Sequence, residues 1–367
     1  MKILLIGEYS NVHWTLALGL RSLGHTVCVV SNGDFWKDYK RDISLVRNNY
    51  TKWGGIEYLI KTLCTLPRLR GYDIVQLINP MFLELKAEKI EAIYRYLRQH
   101  NKKIFLGAFG MDALWVESAT ATPRVFRYSD FNVGDKEILN DYTREQIADW
   151  QNTPKAHLNH YIANDCNGII AGMYEYHTAY KEKYARKLTY IPFPIDIDKE
   201  LQFTPYDGKR KIRFFIGIQK SRSIYKGTDI MLRALERLHT GYPDECEILK
   251  AENIPFAQYS KMVDDCDILL DQLYGYSPGM NALLALSKGK IVVGGAEEEC
   301  YEILGEHELR PMVNVIPDEE DVYNKLREIL LNKEHIATMQ RDSIRLIERH
   351  HLPRKVAQAY LDFWESK

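Results

Sequence analysis

Short apolar runs alternate with longer stretches in which apolar positions recur every three or four residues, and this alternation sets the expected architecture. Lys2–Ile6 (KILLI) and Thr26–Val30 (TVCVV) read as strands. The segment between them carries Trp14, Leu16, Leu18, Leu20 and Leu23, which suits a largely buried helix ending at Gly24. A strand at Ile74–Ile78, a helix over Glu84–Gln99, strands at Lys103–Leu106 and Gly168–Ala171 and a helix through Tyr174–Lys183 extend the pattern. Strands that are apolar throughout and separated by helices predict a parallel, doubly wound sheet, because both faces of such a sheet are covered.

The pattern breaks in KLTYIPFPIDIDK, Lys187 to Lys199, where Pro192 and Pro194 stiffen the chain, and a domain boundary is expected there. It then restarts: Ile212–Ile218, a helix over Thr228–His239, a strand near Ile248, a helix from Ala257, and strands at Ile268–Leu270 and Ile291–Val293. Two Rossmann-like domains are predicted, residues 1–193 and 194–345, with 346–367 as a terminal helix, interrupted at Pro353, that returns to the first domain. Between Asp112 and Pro154 the periodicity fails in LWVESATATPRVFRYSDFNVGDKEILNDY, and a long irregular segment in a compact domain is expected to be functional or mobile.

With 367 residues the chain is long enough for two domains. A formal net charge of −1 gives no global field for nucleic acid or an anionic bilayer, so no nucleic-acid partner is expected and charged recognition must be local. Six scattered cysteines without a CxxC pair argue for reduced thiols and a cytoplasmic setting, with no zinc site. The opening MKILLIGEYS reads as a first strand rather than a signal peptide, and no apolar run approaches the length needed to span a bilayer. Peripheral association with the inner face of the membrane stays open.

Candidate chemistry gathers at strand ends, where open parallel sheets bind ligands. GIQKSRSIYKGTD, Gly217 to Asp229, places Lys220, Arg222 and Lys226 between a strand and a helix expected to be capped by Thr228 or Asp229. Such cations neutralise phosphate oxygens, although a solvated loop would carry them equally well. Tyr225 stands beside Lys226 as a stacking platform for a base or sugar. DQLYGYSPGMNALLALSKGKIVVGG, Asp271 to Gly295, spells out a short helix, with Ser277 as N-cap, Pro278 at the first position and Gly289 just past the end. Without a side chain at Gly279, a ligand can reach the amides of that first turn, at Gly279 and Met280 with Asn281 beside them, where the helix dipole favours an anion. The alternative is that Gly275, Gly279 and Gly289 serve backbone geometry alone.

The two segments together resemble the donor half of GT-B glycosyltransferases, in particular the retaining family four (glycosyl transferases group 1). In that family a strand ending in Gly leads to a basic loop and a Lys-Gly pair, as in Gly217, Arg222, Lys226 and Gly227. A later glycine-rich turn opens a short alanine-containing helix that stops at Gly before a strand, as in Gly279, Ala285, Gly289 and Ile291–Val293. The front half matches more faintly, in KILLIGEYS, LRSLGHTV, YDIVQLINP and AFGMD. The resemblance implies two Rossmann-like domains facing across a cleft and metal-independent, retaining transfer from a nucleotide-diphosphate sugar, with no further cofactor. It also implies a glycan or lipid-linked acceptor, in surface polysaccharide assembly. Arg222, Lys226 and Lys220 would hold the phosphates, while Gly7 and His13 would lie in a loop facing the donor phosphates and the acceptor, with Asp112 on the same side and the acceptor's entry shaped by residues 112–154. His13 and Asp112 read equally well as residues satisfied at helix starts.

One departure stands out. The family carries two glutamates flanking this turn, and here their places fall on Tyr276 and Leu284. Either Asp271 or a residue of Glu297–Glu299 grips the ribose instead, or the chain is a catalytically silent GT-B-like protein that binds a glycan or a partner. A nucleotide-sugar epimerase needs acid-base groups on both faces of the sugar, and no such set is evident. A dehydrogenase is disfavoured because no G-x-G-x-x-G follows Gly7.

Overall fold

In a computed structural model, residues 1–197, 203–218, 223–252, 254 and 256–367 are described. The chain falls into two compact units, one of Met1–Ala121, Arg144–Pro194 and Leu352–Lys367, the other of Thr122–Thr143 and Ile195–His351. The stretch from Asp112 to Pro154 thus divides, with residues 122–143 grouping with the second unit and not with their sequence neighbours. It is also more regular than expected, since short helices and a small antiparallel sheet fill most of it.

In chain order the elements begin with β1 (Lys2–Ile6), α1 (Val12–Ser22), β2 (Thr26–Ser31), β3 (Ile43–Ser44), α2 (Lys52–Thr65), β4 (Ile74–Leu77) and α3 (Ala87–His100). They continue through β5 (Lys103–Ala108), α4 (Ala113–Ala119), the short strands β6 (Tyr128–Ser129), β7 (Asn132–Val133) and β8 (Lys136–Glu137), and α5 (Asp141–Trp150). Next come α6 (Pro154–Asp165), β9 (Gly168–Ala171), α7 (Tyr174–Tyr184) and β10 (Leu188–Tyr190). Among the described residues the first unit's sheet has seven strands in the order β10-β9-β5-β4-β1-β2-β3, all parallel. Every residue of β4 and β9 is buried, which is why these runs carry no polar alternation.

The second unit follows with β11 (Ile212–Ile218), α8 (Ser223–Lys226), α9 (Thr228–Gly241), β12 (Cys246–Glu252), α10 (Phe256–Asp265), β13 (Ile268–Leu270), α11 (Met280–Ser287) and β14 (Ile291–Gly294). It ends with α12 (Glu298–Leu304), β15 (Met312–Asn314), α13 (Glu319–Leu331) and α14 (Ile336–His350). Five parallel strands among the described residues run in the order β12-β11-β13-β14-β15, with the antiparallel β6-β7-β8 as a separate small sheet. Ile212, Phe214, Ile216, Ile268, Leu270, Ile291 and Val293 face a core shared with Met231, Leu235 and Leu238 of α9. Both sheets predicted from the apolar runs are therefore present as parallel, helix-covered layers.

The last helix, α15 (Pro353–Ser366), belongs to the first unit. It packs so closely on α1 that a Cβ at Gly19 would sit 2.1 Å from the Pro353 carbonyl oxygen. The buried Trp364 indole donates to Gln76 Oε1 of β4 (3.4 Å), and Arg354 donates to the Ser22 carbonyl (2.9 Å).

Candidate nucleotide-sugar site

In the second unit the carboxyl end of β11 leads toward a helix start. Lys220 and Arg222 lie outside the described residues. After them α8 ends at Lys226, and Gly227, at φ +69°, forms the N-cap of α9. No side chain caps that helix, so the cap expected from Thr228 or Asp229 is replaced by glycine's left-handed backbone. A Cβ at Gly227 would also lie 2.8 Å from Leu273 Cβ, and the Leu273 amide donates to the Lys226 carbonyl (2.9 Å). The Lys-Gly turn is thereby fixed against the loop leading to α11. Lys226 is half-buried, and among the described residues its ammonium has no carboxylate partner. Tyr225 is already stacked, with the Tyr142 ring 4.2 Å away and 12° from parallel, so one of its faces is covered by the chain itself.

The loop from β13 to α11 brings Asp271 and Asn281 together and links them to Gly217. Asp271, buried at the end of β13, donates its amide to the Val293 carbonyl (3.0 Å) and accepts at Oδ1 from Asn281 Nδ2 (2.9 Å). Asn281 Oδ1 in turn accepts from the Tyr259 hydroxyl (2.8 Å), and a Cβ on Gly217 would stand 2.6 Å from the Tyr259 ring. One chain of contacts thus joins Gly217, Asn281 and Asp271 through Tyr259, which the sequence reading did not single out. Burial and the nearby Asp271 carboxylate push the Tyr259 phenol well above its ordinary range, so it is a constant donor.

Helix α11 starts two residues later than expected. Its N-cap is Gly279, extended at φ −77° and ψ 177°, while Ser277 lies buried in the approach. Because the first helical bond runs from Leu283 N–H to the Gly279 carbonyl (3.0 Å), the amides of Met280, Asn281 and Ala282 have no acceptor within the helix. The space a Gly279 side chain would fill is open: its nearest neighbours are Asp271 Oδ2 at 3.9 Å and Gln272 Nε2 at 4.0 Å. At the other end, Gly289 (φ +68°) closes a Schellman turn, with Lys290 N–H bonded to Ala285 (3.0 Å) and Gly289 N–H to Leu286 (3.0 Å).

Tyr276, in the place of the first family glutamate, is buried and locked. Its hydroxyl accepts from the Arg127 amide (2.8 Å), its ring stacks on Tyr128 with centroids 4.9 Å apart, and the Arg127 guanidinium lies 5.0 Å over its face. Arg127 pairs with Glu299 and with Glu297 (3.0 Å), and the Tyr128 hydroxyl donates to Glu297 (2.5 Å). Arg127 holds the Glu299 carboxyl below its usual range. Glu297 and Glu299, entertained as ribose ligands, are thus engaged with Arg127 and Tyr128, and Glu298 between them pairs with Arg310 (2.7 Å). Asp271 is the remaining candidate whose second oxygen faces the opening at Gly279.

In the first unit the corresponding helix start is closed. Gly7 follows β1 with no room for a side chain, since a Cβ would lie 2.2 Å from Ile78 Cγ2. The buried Glu8 carboxylate then accepts from the amides of His13 (3.2 Å) and Trp14 (2.9 Å), occupying the N-terminus of α1. Burial raises its pKa to about 8. His13 is fully buried, and its Nδ1 sits 2.8 Å from the Gly7 carbonyl, which assigns the proton to Nδ1. Nε2 is left as a buried acceptor with no partner among the described residues. Burial drives the His13 pKa to about 3, so the imidazole is neutral near pH 7. Asp112 has no free oxygen: Oδ1 caps α4 by accepting from Trp115 N–H (2.8 Å), and Oδ2 accepts from the Tyr180 hydroxyl (2.7 Å). Burial lifts its pKa to about 6, and the capping reading accounts for the Oδ1 contact.

No protein-family model and no curated protein matches the chain by sequence. Solved structures match along its whole length. Anabaena HepE in complex with UDP and glucose is 13% identical with a TM-score of 0.61, and sucrose-phosphate synthase from Thermosynechococcus elongatus is 13% identical at 0.64, each with 100% of both chains covered. WaaG, a glycosyltransferase involved in lipopolysaccharide biosynthesis, is 14% identical at 0.53 over 98% of this chain and 99% of its own. Two parallel, helix-covered sheets and these full-length likenesses establish that the chain has the GT-B glycosyltransferase fold.

Proposed function

We propose that this protein is a metal-independent, retaining glycosyltransferase that moves a sugar from a nucleotide-diphosphate donor to a glycan or lipid-linked acceptor in surface polysaccharide assembly. The observation that carries the reading is the uncapped start of α11 at Gly279, beside a loop pinned to the Lys226–Gly227 turn. The likeness to HepE with bound UDP and to WaaG supports the same class of donor and setting.

The pyrophosphate would take hydrogen bonds from the free amides of Met280 and Asn281 and charge from Lys226, with Lys220 and Arg222 adding to it. During transfer the bond from the sugar's anomeric carbon to the phosphate oxygen breaks while the acceptor oxygen bonds to the same face. The acceptor proton leaves with the departing diphosphate. Negative charge grows on that diphosphate, and fixed amides and a cation stabilise it without reorganising. Asp271 Oδ2 is suited to hold a hydroxyl of the donor, in place of the family's glutamates. Neutral His13, with Nε2 unpartnered, is suited to accept from a sugar hydroxyl. The test is to incubate the protein with UDP-, GDP- and ADP-sugars and follow release of the nucleotide diphosphate with and without glycan acceptors.

A second reading rests on the lock around Tyr276. Its hydrogen bond to Arg127, and the pairing of Glu297 and Glu299 with Arg127 and Tyr128, replace ligand-facing carboxylates by internal contacts, as a donor-binding but silent protein would have. Tight nucleotide binding with no turnover of any donor would select it.

A further inference from the structure

Helix α2 is built the wrong way round for a helix of a soluble domain. Its buried positions are Gly54, Tyr58, Thr62 and Thr65, while Trp53, Ile56, Ile60 and Leu63 are exposed, Trp53 at 80%. At 100° per residue these four exposed side chains fall within one narrow stripe, about 15 Å long at 1.5 Å per residue. The inward face is held by other means. Thr51 caps the Gly54 amide (3.1 Å), the Thr62 and Thr65 hydroxyls bond back to the carbonyls of Tyr58 and Lys61 (both 2.8 Å), and Gly54 lies so close to Asn49 that a Cβ would overlap it. An ordinary surface helix turns such a stripe toward the core, and an exposed one of this kind marks a contact surface.

Its chemistry selects the occupant. Tyr50 is exposed just before the helix, with the Arg47 guanidinium 4.9 Å over its ring. Lys52 and Lys61 are exposed on α2 itself, Arg68 and Arg70 follow it, and none of these five cations has a carboxylate partner among the described residues. Residues 35–70 carry eight lysines and arginines against three acidic residues, in a chain whose net charge is −1; of the acids, only Glu57 lies on the helix. A second copy of the same face would set like charges against each other. No helix among the described residues is long and apolar enough to cross a membrane, so α2 would lie in the plane of the interface.

We propose that α2 and the residues flanking it form a docking surface for an anionic lipid bilayer, with Trp53, Ile56, Ile60 and Leu63 entering the headgroup boundary and Arg47, Lys52, Lys61, Arg68 and Arg70 facing lipid phosphates. If the transferase reading holds, this surface brings the first unit to the place where a lipid-linked acceptor is presented. The docking itself needs no nucleotide or sugar, so its test stands apart from that reading.

The experiment is flotation of the full-length protein with vesicles of phosphatidylcholine alone or containing about one-third phosphatidylglycerol. The protein is expected to float with the anionic vesicles, and less so as salt is raised. Exchanging Ile56→Asp and Ile60→Asp together should lower the bound fraction by about ten-fold or more. Lys52→Glu with Lys61→Glu should lower it by at least roughly twenty-fold. All four positions are exposed, so thermal unfolding should stay unchanged and serves as the folding control. Three results would overturn the proposal: wild type that floats with neither vesicle, variants that float as well as wild type, or a dimer in solution that the isoleucine exchange breaks while vesicles never capture the protein.

Discussion

The two units each place a glycine and a helix start at the carboxyl end of a strand, yet only one leaves that start open. At α1 the buried carboxyl of Glu8 takes the His13 and Trp14 amides, and the site is filled by the protein's own side chain. At α11 the N-cap is Gly279, which makes no side-chain cap hydrogen bond among the described residues, and a half-buried lysine stands in the neighbouring turn. A helix terminus becomes an anion site only when sequence withholds the cap. On the proposed reading the pyrophosphate belongs at the open terminus of the second unit, while the first unit keeps a buried neutral histidine.

Removing the cation should separate the two termini most clearly. Lys226→Ala is expected to weaken binding of the preferred nucleotide diphosphate by about ten- to a hundred-fold, the scale of one charge-assisted hydrogen bond, with unfolding unchanged. Calorimetry showing equal affinity would detach Lys226 from the site. Filling the opening is the next largest change. Gly279 has an ordinary extended backbone, so Gly279→Val should fold normally and reduce the same affinity by roughly ten-fold through steric exclusion.

Opening the closed terminus sharpens the contrast from the other side. Glu8→Ala should cost the first unit about 1–2 kcal/mol of stability, as loss of a helix cap does, while nucleotide affinity stays at the wild-type value. An affinity that rises in this variant would show that α1 can bind the anion once uncapped. A separate effect concerns acid. His13, at about 3 in the folded protein and near 6.5 when unfolded, binds its proton only on unfolding across that window. Its contribution is therefore complete above pH 6.5 and is lost as pH falls toward 3. A His13→Gln variant, which keeps a donor for Gly7, should lose less stability than wild type between pH 6.5 and 4 in thermal melts.

The strands were legible because strands buried on both faces are apolar throughout, as Ile268–Leu270 and Gly168–Ala171 are. Positions of caps were less so. Ser277 and Pro278 have the residue types of an N-cap and first turn, yet Ser277 is buried and the helix waits for Gly279. Glu8 escaped notice because its role depends on a loop folding back over five residues, not on a cap motif. The Tyr276 lock depends on Arg127 and Tyr128, far away in sequence, and no local pattern announces it. Helix α2 was missed because a Gly-Gly pair interrupts its first turn and its apolar stripe faces outward, so the usual logic of burial does not find it.

The central claim, that an anion binds the open terminus of α11, is tested most directly by hydrogen exchange followed peptide by peptide, with and without the nucleotide diphosphate that binds best. The account predicts slowed exchange in the segment 279–283 at the start of α11 and unchanged exchange over residues 8–16 at the start of α1. Slowing confined to residues 8–16, or none at either terminus at saturating nucleotide, would contradict it.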